Sequence, residues 1–214
     1  MTEAWVACSA RPDRRQIAFT FDDGPSGSTL PVLDVLEAHG ARGTFFAVGE
    51  WVIRLPEVVR ETAARGHELG NHTWKHFNAD VETDVERWRA EIQRTSEAIE
   101  RETGQAPRLF RPPYGANPCR LARVAAACGL NATILWTVQS TDWQGNDEHE
   151  RIETDVVEQA HAGAIVLHHD GWAPSDEKNH GSPQNGTLKA LPRILERLGN
   201  DGYRFVTVSE LLAA

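Results

Sequence analysis

The sequence predicts a single-domain α/β fold in which parallel strands alternate with helices. Seven short apolar runs, rich in β-branched and aromatic residues, are separated by longer segments whose apolar residues recur with helical period. This alternation is typical of parallel strands joined by crossover helices. A chain of 214 residues also has the length of one large α/β domain with a sizeable core. An open sheet and a barrel both fit this order of elements.

The strands are predicted where an apolar run ends at polar or turn-forming residues. The first run contains Phe19 and Phe21 and ends in two aspartates, and the sixth ends in two histidines. Runs of this length and composition favour strands, because helices need longer periodic segments. The predicted strands cover residues 16–22, 43–48, 68–72, 109–111, 132–138, 164–169 and 204–206.

The helix ends are marked by glycine and proline. Glycine is favoured just after a helix because it adopts the left-handed conformation, and proline is favoured in the first helical turn. Pro56 lies near a predicted helix start, and glycines past a helix end are Gly40, Gly66, Gly104, Gly129 and Gly163. The predicted helices cover residues 28–38, 56–65, 80–103, 118–128, 150–162 and 188–198.

The chain shows no change in composition that would mark a linker. We predict a short N-terminal segment, 1–15, followed by one domain over 16–214. The longest irregular stretch, 171–186, is rich in Gly, Ser, Pro and Asn and exceeds ordinary connection lengths. Loops of this size either form the rim of a binding site or are simply mobile, and the sequence leaves both interpretations open.

The charge balance excludes several classes of protein. With 22 Lys and Arg against 31 Asp and Glu, the formal net charge is -9, so the chain lacks the basic surface that binds nucleic acids and anionic membranes.

The sequence also carries no signal for membrane insertion or export. No run approaches the roughly 18–20 apolar residues of a membrane-spanning helix. Residues 1–15 are too polar and Arg-rich for a signal peptide. We therefore expect a cytoplasmic protein, or a secreted one if Met1 is not the natural start.

The cysteines argue against a disulfide framework. Cys8, Cys119 and Cys128 are an odd number, and the last two lie nine positions apart in a segment of helical period. We predict reduced thiols in the core.

Polar side chains gather where the predicted strands end. Sites in parallel sheets and barrels form at the carboxyl ends of the strands. In chain order these ends carry Asp22-Asp23, His72-Thr73-Trp74-Lys75-His76, Arg111-Pro112-Pro113-Tyr114, Asp142-Trp143 and Leu167-His168-His169. The sequence therefore predicts one functional site at this end of the strands.

Two of these strand ends together suggest a metal site. His72 and His76 are four positions apart, which places two imidazoles on one side of a helical turn, and a carboxylate is a common third ligand. Taken alone, the histidines could be surface residues, and Asp22 and Asp23 could form a turn or a helix cap. Neighbouring carboxylates point in different directions, so one could bind a metal while the other accepts a proton.

Two further strand ends carry candidate groups. Arg111 precedes two prolines, and a guanidinium on such a rigid loop could hold a carboxylate, although alone it could equally be a surface arginine. Strand alternation sends His168 and His169 to opposite faces, with His169 on the face of Leu167, so at most one histidine belongs to the site. The joint occurrence of all these groups at successive strand ends favours a catalytic site over separate structural roles.

These residues resemble the motifs of the polysaccharide deacetylase superfamily, also called carbohydrate esterase family four. That superfamily includes chitin deacetylases, peptidoglycan deacetylases and acetylxylan esterases. The resemblance rests on Thr20-Phe21-Asp22-Asp23-Gly24-Pro25 and on the His-Thr-x-x-His pattern of 72–76, and it covers roughly 16–212. It implies a distorted (β/α)7 barrel as a single domain, with 16–214 as the polysaccharide deacetylase-like catalytic domain.

The resemblance also implies a metal centre and a base. Asp23, His72 and His76 would bind one divalent metal ion, usually zinc in this family, with cobalt or nickel as alternatives. Asp22 would be the general base that deprotonates the attacking water. Arg111 would pair with Asp22 and orient it.

The remaining motifs imply an acid and a substrate groove. His169 would be the general acid, Asp142 would hold it in the protonated form, and the backbone N–H of Tyr114 would join the oxyanion hole. The groove would be lined by Pro113, Trp143 and Leu167. Trp172, in the stretch 171–186, is predicted to join them because flat aromatic faces suit sugar rings. Trp74 is interpreted as a core or groove residue. One departure from the family pattern is Gln139, where members often carry an acidic residue.

The predicted function is hydrolytic, metal-dependent removal of acetyl groups from N-acetylglucosamine-containing glycans of the chitin or peptidoglycan type, with release of acetate. The alternatives within the enzyme class are an intracellular deacetylase of a small acetylated metabolite and an acetylxylan-type O-acetyl esterase. A non-catalytic carbohydrate-binding protein and a metal-independent cyclic-amide hydrolase on the same fold are the other hypotheses. The expected partner is an acetylated carbohydrate and not nucleic acid, and we expect a monomer.

Overall fold

The computed structural model describes residues 5–10, 15–144, 148–174, 176 and 184–213, which form nine strands and eight α-helices. The strands are β1 (Val6–Ala7), β2 (Gln16–Asp22), β3 (Gly43–Ala47), β4 (Glu68–Asn71), β5 (Leu109–Phe110), β6 (Ala132–Ile134), β7 (Val138–Gln139), β8 (Ile165–His169) and β9 (Arg204–Phe205). The helices are α1 (Thr29–Ala38), α2 (Gly49–Arg54), α3 (Pro56–Ala64), α4 (Val85–Thr103), α5 (Pro118–Ala127), α6 (His149–Gln159), α7 (Asn185–Asn200) and α8 (Val208–Ala213).

One parallel sheet organises these elements. Its strands follow the order β1-β6-β5-β4-β3-β2-β8-β7, and β9 pairs with the first two residues of β2. Every pairing between these strands is parallel. The sheet curls into a half-barrel with the helices around it. This arrangement brings the carboxyl ends of the strands, which carry the predicted site residues, to the same end of the molecule.

Alternation along β2 decides which of its side chains reach the interior of the curled sheet. All seven residues of β2 are buried, as expected for a strand covered on both faces. Phe19 and Phe21 pack with the apolar residues of α1, α6 and α7, whereas Ala18 packs with the smaller cluster that contains Ile134. Because every second side chain of a strand points to the same face, Asp22 lies on the same face of β2 as Ala18 and Thr20. The strand therefore ends with a carboxylate inside the half-barrel.

The predicted strand at 132–138 consists of two strands in different places. β6 pairs with β1 and β5 near one end of the sheet, and β7 pairs with β8 at the other. Leu135 N donates to Ala7 O at 2.7 Å and Thr137 N donates to Ile165 O at 3.1 Å, so the linking residues bridge these two ends. Both strands are largely buried, so the apolar run shows no break at this point.

The described part of the N-terminal segment belongs to the same sheet. Val6 and Ala7 form β1 against β6, and Ser9 forms an isolated antiparallel bridge with Ala164 beside β8. Ala7 is buried in the core cluster that also contains Ile134. This segment therefore helps to cover the seam between β6 and β8.

Some helix boundaries differ from the predicted ones. The helices α2 and α8 were not predicted, because each has six residues and a helical period cannot be recognised over so short a segment. α4 begins at Val85 and not at residue 80, because Asp84 accepts a hydrogen bond from Glu86 N and caps the helix there. α7 is longer than predicted and begins at Asn185.

Half of the predicted irregular stretch 171–186 falls outside the described residues. Its described positions are 171–174, 176 and 184–186, and the last two of these belong to α7. Whether 175 and 177–183 form a rim over the cleft lies outside the described part of the chain.

The cysteines are free, but the prediction that they are core thiols is wrong for two of them. Cys8 and Cys119 are exposed, and Cys128 is half-buried. Cys119 lies in the first turn of α5, whose buried face begins only at Leu121. Within the described ranges, no helix is both long and apolar enough to cross a membrane.

Candidate active site

A cleft of about 690 Å³ opens at the carboxyl ends of the strands. The predicted site residues that line it are Asp22, Asp23, His72, His76, Tyr114, Trp143, Leu167, His169 and Trp172. Arg111 and Asp142 are buried behind this surface, each hydrogen-bonded to a residue that lines it. Pro113 is buried in the single-turn helix Pro113–Gly115 and is not among the described residues that line the cleft.

The two adjacent carboxylates diverge because the backbone turns between them. Asp22 is the last residue of β2, and Asp23 has a left-handed φ of 70°. Gly171 packs against this turn, and a Cβ at that position would overlap the carbonyl oxygen of Asp23. A glycine is therefore needed there for the close approach of the two backbones. The turn gives Asp22 and Asp23 different partners.

Asp23, His72 and His76 form a compact set of buried ligand atoms. Asp23 Oδ1 lies 3.2 Å from His76 Nε2 and 3.6 Å from His72 Nε2. Each of the three residues offers one possible ligand atom, and these three atoms lie within 4.8 Å of one another. His72 Nδ1 donates to the carbonyl oxygen of Arg111 at 2.7 Å, which leaves the lone pair on Nε2. Two histidines and one carboxylate are a common ligand set for catalytic zinc.

The charges of this set also fit a divalent cation. Burial lowers the pKa of His72 and of His76 to about 4, so both imidazoles are neutral near pH 7, the form that binds metal. Burial raises the pKa of Asp23 to about 6 against the attraction of His72. Asp23 Oδ1 accepts no hydrogen bond from any residue in the described part of the chain. A buried carboxylate oxygen without a donor is unfavourable, and a cation would satisfy it.

The loop that carries the two histidines is not the helical turn that their spacing predicted. Thr73 and His76 have left-handed φ values of 68° and 57°, and the two imidazole centroids lie 4.8 Å apart. Asn71 Oδ1 accepts a hydrogen bond from Thr73 N, and Thr73 Oγ1 accepts one from His76 N. Local hydrogen bonds, and not a helix, therefore bring the imidazoles together.

Glu91 of α4 anchors the middle of this loop. Its Oε2 accepts the backbone N–H groups of Trp74 at 3.0 Å and of Lys75 at 2.7 Å. The Trp74 side chain is buried with Ala98 and Ile99, so Trp74 is a core residue and not a groove residue. These contacts fix the histidine loop to the 19-residue helix α4.

Arg111 holds Asp22 from behind the cleft. The arginine side chain is fully buried, and its Nη1 donates to Asp22 Oδ1 at 2.8 Å and to Thr20 Oγ1 at 2.7 Å. Its Nε and Nη2 donate to two backbone carbonyl oxygens at 3.2 Å. Burial lowers the pKa of Arg111, and the charge of Asp22 opposes this. One oxygen of Asp22 is thus fixed, while Oδ2 lies 3.6 Å from His72 Nε2.

His169 and Asp142 form a second charged pair. Asp142 Oδ1 accepts the Nδ1–H of His169 at 2.7 Å, and Oδ2 accepts the backbone N–H of His169 at 2.8 Å. Burial acts to lower the pKa of His169, but the charge of Asp142 and this hydrogen bond raise it to about 9. Burial acts to raise the pKa of Asp142, yet the charge of His169 holds it well below its usual range. His169 is therefore protonated at neutral pH.

His168 lies beside this pair but makes no hydrogen bond to it. Its ring is fully buried between Phe19 and Phe21, with centroids 5.8 Å from each. His168 Nδ1 lies 3.7 Å from Asp142 Oδ2, which is too far for a hydrogen bond. The alternation of β8 thus divides the two histidines between core and cleft, as the strand period predicts.

Aromatic side chains form the walls of the cleft. The Tyr114 side chain is 58% exposed, and its ring centroid lies 4.6 Å from that of His76. Trp143 is 38% exposed and meets the His169 ring edge-on at 5.9 Å. Leu167 and Trp172 add to the lining. Partly exposed aromatic faces beside a few polar groups are typical of a ligand cleft.

The cleft contains residues that the sequence did not single out for the site. Trp136, Ala173 and Asp176 line it, together with Gln139, which was noted only as a departure from the family pattern. Trp136 lies between β6 and β7, inside the run that was predicted to be one strand, so nothing in its spacing marked it. Thr187 of α7 donates to Asp142 Oδ2 at 2.7 Å, and a single threonine in a helix carries no motif.

Comparison with known proteins decides the family. A family model described as polysaccharide deacetylase matches residues 9–133, which is more than half of the chain. The chain belongs to the polysaccharide deacetylase family. This confirms the family that the motifs at 20–25 and 72–76 resemble.

Relatives align with this deacetylase over nearly its whole length. Its sequence is 40% identical over 211 residues to that of a peptidoglycan-N-acetylglucosamine deacetylase of Bacillus cereus. This alignment covers 97% of this chain and 93% of the relative. The crystal structure of the Bc1960 peptidoglycan N-acetylglucosamine deacetylase, in complex with 4-naphthalen-1-yl-N-oxidanyl-benzamide, matches with a TM-score of 0.86. That match has 30% identity and covers 99% of this chain and 94% of the other. The predicted single-domain (β/α)7 barrel is therefore confirmed.

A third match bears on the alternative of a non-catalytic protein. A pseudoenzyme of carbohydrate esterase family four from Bacillus anthracis matches this deacetylase with a TM-score of 0.85 and 26% identity. That match covers 98% of this chain and 69% of the other. Deacetylation, the function predicted from the motifs, is the function that the family and these relatives support. The fold alone does not establish catalysis in a given member, so the site residues must carry that argument.

Proposed function

We propose that this protein is a metal-dependent N-deacetylase that hydrolyses the acetamido group of N-acetylglucosamine units in glycans or oligosaccharides. One observation carries the proposal. A set of metal-ligand atoms converges in a single cleft with two charged pairs, Asp22–Arg111 and His169–Asp142. Amide hydrolysis needs an activated water, an activated carbonyl and a proton for the departing nitrogen.

The metal would be held by Asp23, His72 and His76. When bound there, Zn²⁺ would act as a Lewis acid that polarises the acetyl carbonyl and makes water more acidic. Co²⁺ and Ni²⁺ are the alternatives, since all three ions accept imidazole and carboxylate ligands. The neutral histidines and the donor-free oxygen of Asp23 support this assignment.

Asp22 is the proposed general base. Because Arg111 occupies Oδ1, the other carboxylate oxygen is left to take a proton from the attacking water. The water oxygen then forms a bond to the acetyl carbon, and negative charge develops on the carbonyl oxygen. The backbone N–H of Tyr114 is proposed to donate to that oxygen, a contribution of about 10² to 10³ in rate for one such donor.

His169 is the proposed general acid. As the carbon–nitrogen bond breaks, Nε2 of His169 gives its proton to the nitrogen, so the products are acetate and a glucosamine unit with a free amine. An unprotonated amine anion is a very poor leaving group, which makes this proton essential. A pKa of about 9 supports a protonated His169 at neutral pH. Asp142 positions the ring and does not contact the substrate.

The proposed substrate follows from the cleft walls and from the relatives. Tyr114, Trp143 and Trp172 would offer apolar faces to sugar rings. Two of the relatives named above are peptidoglycan N-acetylglucosamine deacetylases, so an N-acetylglucosamine unit is the first candidate substrate for this chain.

We expect the protein to act as a monomer.

Acetate release from defined substrates tests the proposal. Protein stripped with a chelator would be assayed with chitooligosaccharides, peptidoglycan, acetylxylan and free N-acetylglucosamine, before and after addition of Zn²⁺, Co²⁺ or Ni²⁺. We expect acetate and free amine from the N-acetylated glycans only after metal is added. Absence of acetate from every saccharide would refute the substrate class, and full activity in chelator would refute the metal.

A further inference from the structure

Thr187 makes a buried contact to the acid pair from outside the motifs. It lies in the first turn of α7 and is fully buried, and its hydroxyl donates to Asp142 Oδ2 at 2.7 Å. The start of α7 is itself fixed to the site loops. Gln184 Nε2 donates to the carbonyl oxygen of Gly171, and Gln184 N donates to Ser28 Oγ.

Among the described residues, three donors fix the Asp142 carboxylate. Oδ1 accepts from His169 Nδ1, and Oδ2 accepts from His169 N and from Thr187 Oγ1. Of these three donors, Thr187 alone lies on an element other than β8, the strand of His169. Asp142 also lies beside the amino-terminal turn of a 16-residue helix, where a negative charge is favoured.

Asp142 needs this outside support because its own segment is irregular. It begins a single-turn helix, Asp142–Gln144, directly after Thr141, which has a left-handed φ of 58°. A side chain on such a segment is oriented mainly by the hydrogen bonds that it makes. Without the Thr187 hydroxyl, the backbone N–H of His169 would be the one donor to Oδ2 left in the described part of the chain, and the carboxylate could turn away from the imidazole.

We propose that Thr187 is a positioning residue for the proton delivered to the leaving group, acting through Asp142 to hold the His169 ring in place. This inference rests on the proposed function, in which His169 protonates the departing nitrogen. His169 Nδ1 is occupied by Asp142, so the proton at issue is the one on Nε2. The proton moves to the nitrogen of the breaking carbon–nitrogen bond, and the imidazole is left neutral.

A positioning role and a purely structural role of Thr187 predict different effects on amide and ester hydrolysis. An amide needs its leaving nitrogen protonated, whereas 4-nitrophenolate leaves as a stable anion without a proton. A defect in the acid should therefore slow hydrolysis of an N-acetylglucosamine oligomer and spare hydrolysis of 4-nitrophenyl acetate. A general loosening of the site would slow both substrates together.

The experiment compares Thr187→Val with wild type on these two substrates, using the zinc-loaded full chain. We expect kcat for the oligomer to fall about 10- to 100-fold, the effect of losing one hydrogen bond to a charged group, with KM little changed. For 4-nitrophenyl acetate we expect less than about a threefold change. Thr187→Ser keeps the hydroxyl and should recover most of the oligomer activity.

A matched control is available at the other end of the half-barrel. Thr44 is also fully buried, and its hydroxyl also donates to a carboxylate, Glu68 Oε2 at 2.9 Å. It lies near the amino-terminal end of β3, away from the cleft. Thr44→Val therefore removes the same kind of bond, together with the acceptor of Val208 N, and should leave the ratio of the two activities unchanged. If Thr187→Val does not fold, Thr187→Ala replaces it in the same comparison.

The outcomes separate this inference from the proposed function. Equal loss on both substrates, or no loss on the oligomer, would overturn the role of Thr187. Wild-type protein that hydrolyses the ester but no N-acetylated glycan would instead overturn the proposed function. Asp22→Asn should abolish ester hydrolysis as well, which verifies that the ester reacts in the same cleft.

Discussion

Arg111 Nη1 lies 2.8 Å from Asp22 Oδ1, and the two side chains are 0% and 5% exposed. A carboxylate buried this deeply is unfavourable without a partner, and this guanidinium supplies one. The contact uses one oxygen of Asp22 and leaves the other toward the metal-ligand set. Asp22 and Asp23 are adjacent in sequence, yet Asp22 is held by an arginine and Asp23 lies among histidines. The first prediction tests this division.

Asp22→Asn and His72→Ala should fail in different ways. Asn is close in shape to Asp and keeps an oxygen for Arg111, but it cannot take a proton. We expect Asp22→Asn to bind zinc normally and to lose about 10²- to 10⁴-fold in kcat. His72→Ala should lose zinc affinity itself. Zinc content after dialysis, measured beside kcat, distinguishes the two, and equal zinc loss in both variants would show that the carboxylate roles are reversed.

His169→Ala and His168→Ala should separate catalysis from stability. His169→Ala removes the proposed acid, so kcat on an N-acetylated glycan should fall about 10²- to 10⁴-fold while the fold persists. His168→Ala leaves a cavity between Phe19 and Phe21 and should lower the free energy of unfolding by about 2–4 kcal/mol. Activity per folded molecule should stay within about threefold. The opposite pattern in urea unfolding and turnover would contradict the strand-face assignment.

Glu91→Ala should weaken metal binding without touching a ligand. Removing the acceptor of the Trp74 and Lys75 N–H groups frees the loop that holds His72 and His76. We expect zinc affinity to fall about 10- to 100-fold, the usual effect of losing support for a ligand. A competition titration with a chromogenic chelator measures this.

The control for this prediction is Glu97→Ala, an exposed position on the same helix. It makes the same change in charge, so it should leave zinc affinity within about twofold of wild type, since surface charges away from a site have small effects. Equal affinities for the two variants would mean that the loop holds its shape without Glu91.

His67 should make stability depend on pH at a place remote from the cleft. It is buried before β4 and accepts a hydrogen bond from Gly43 N, and burial, aided by Arg65 and Arg42, lowers its pKa from 6.5 to about 4. Between these two pH values the unfolded chain binds a proton that the folded chain excludes. Stability from this group is thus complete above pH 6.5 and is lost as pH falls toward 4.

His67→Asn should remove this dependence, because asparagine keeps an acceptor for Gly43 N and does not titrate. Urea unfolding of the metal-free proteins at pH 8 and at pH 4 gives the comparison. Wild type should lose on the order of 2–3 kcal/mol more than the variant over this interval. His72 and His76 are present in both proteins, so their contributions cancel. Parallel pH dependence of the two proteins would exclude this role for His67.

The sequence predicted those parts of the fold whose signals are long or chemically marked. β2 was predicted at its observed bounds, because its apolar run ends in polar residues that cannot continue the core. The end of α4 at Thr103 is marked by Gly104, which adopts a left-handed φ of 74°. The start of α4 was missed because Asp80 and Asp84 both qualify as caps: Asp84 accepts from Glu86 N at the start of the helix, whereas Asp80 accepts a long-range hydrogen bond from Asn117 Nδ2.

Long-range contacts are what the sequence could not give. The run at 132–138 divides between opposite ends of the sheet, and no local period reports which neighbour a buried residue pairs with. The motif residues were predicted as a set, but the backbone that brings His72 and His76 together was not. Trp136 and Thr187 reach the site only through folding, from positions that carry no motif.

Left-handed backbone at the cleft has a consequence for how this protein can be altered. Among the described residues, Asp23, Thr73, His76 and Tyr114 all have φ between 57° and 70° without being glycine. Each such residue costs on the order of 1–3 kcal/mol, and together they approach the net stability of an ordinary domain. Changes that relax these positions should raise the melting temperature and lower turnover, so heat resistance and catalytic rate are opposed there. Efforts to make the protein more robust should therefore begin elsewhere in the chain.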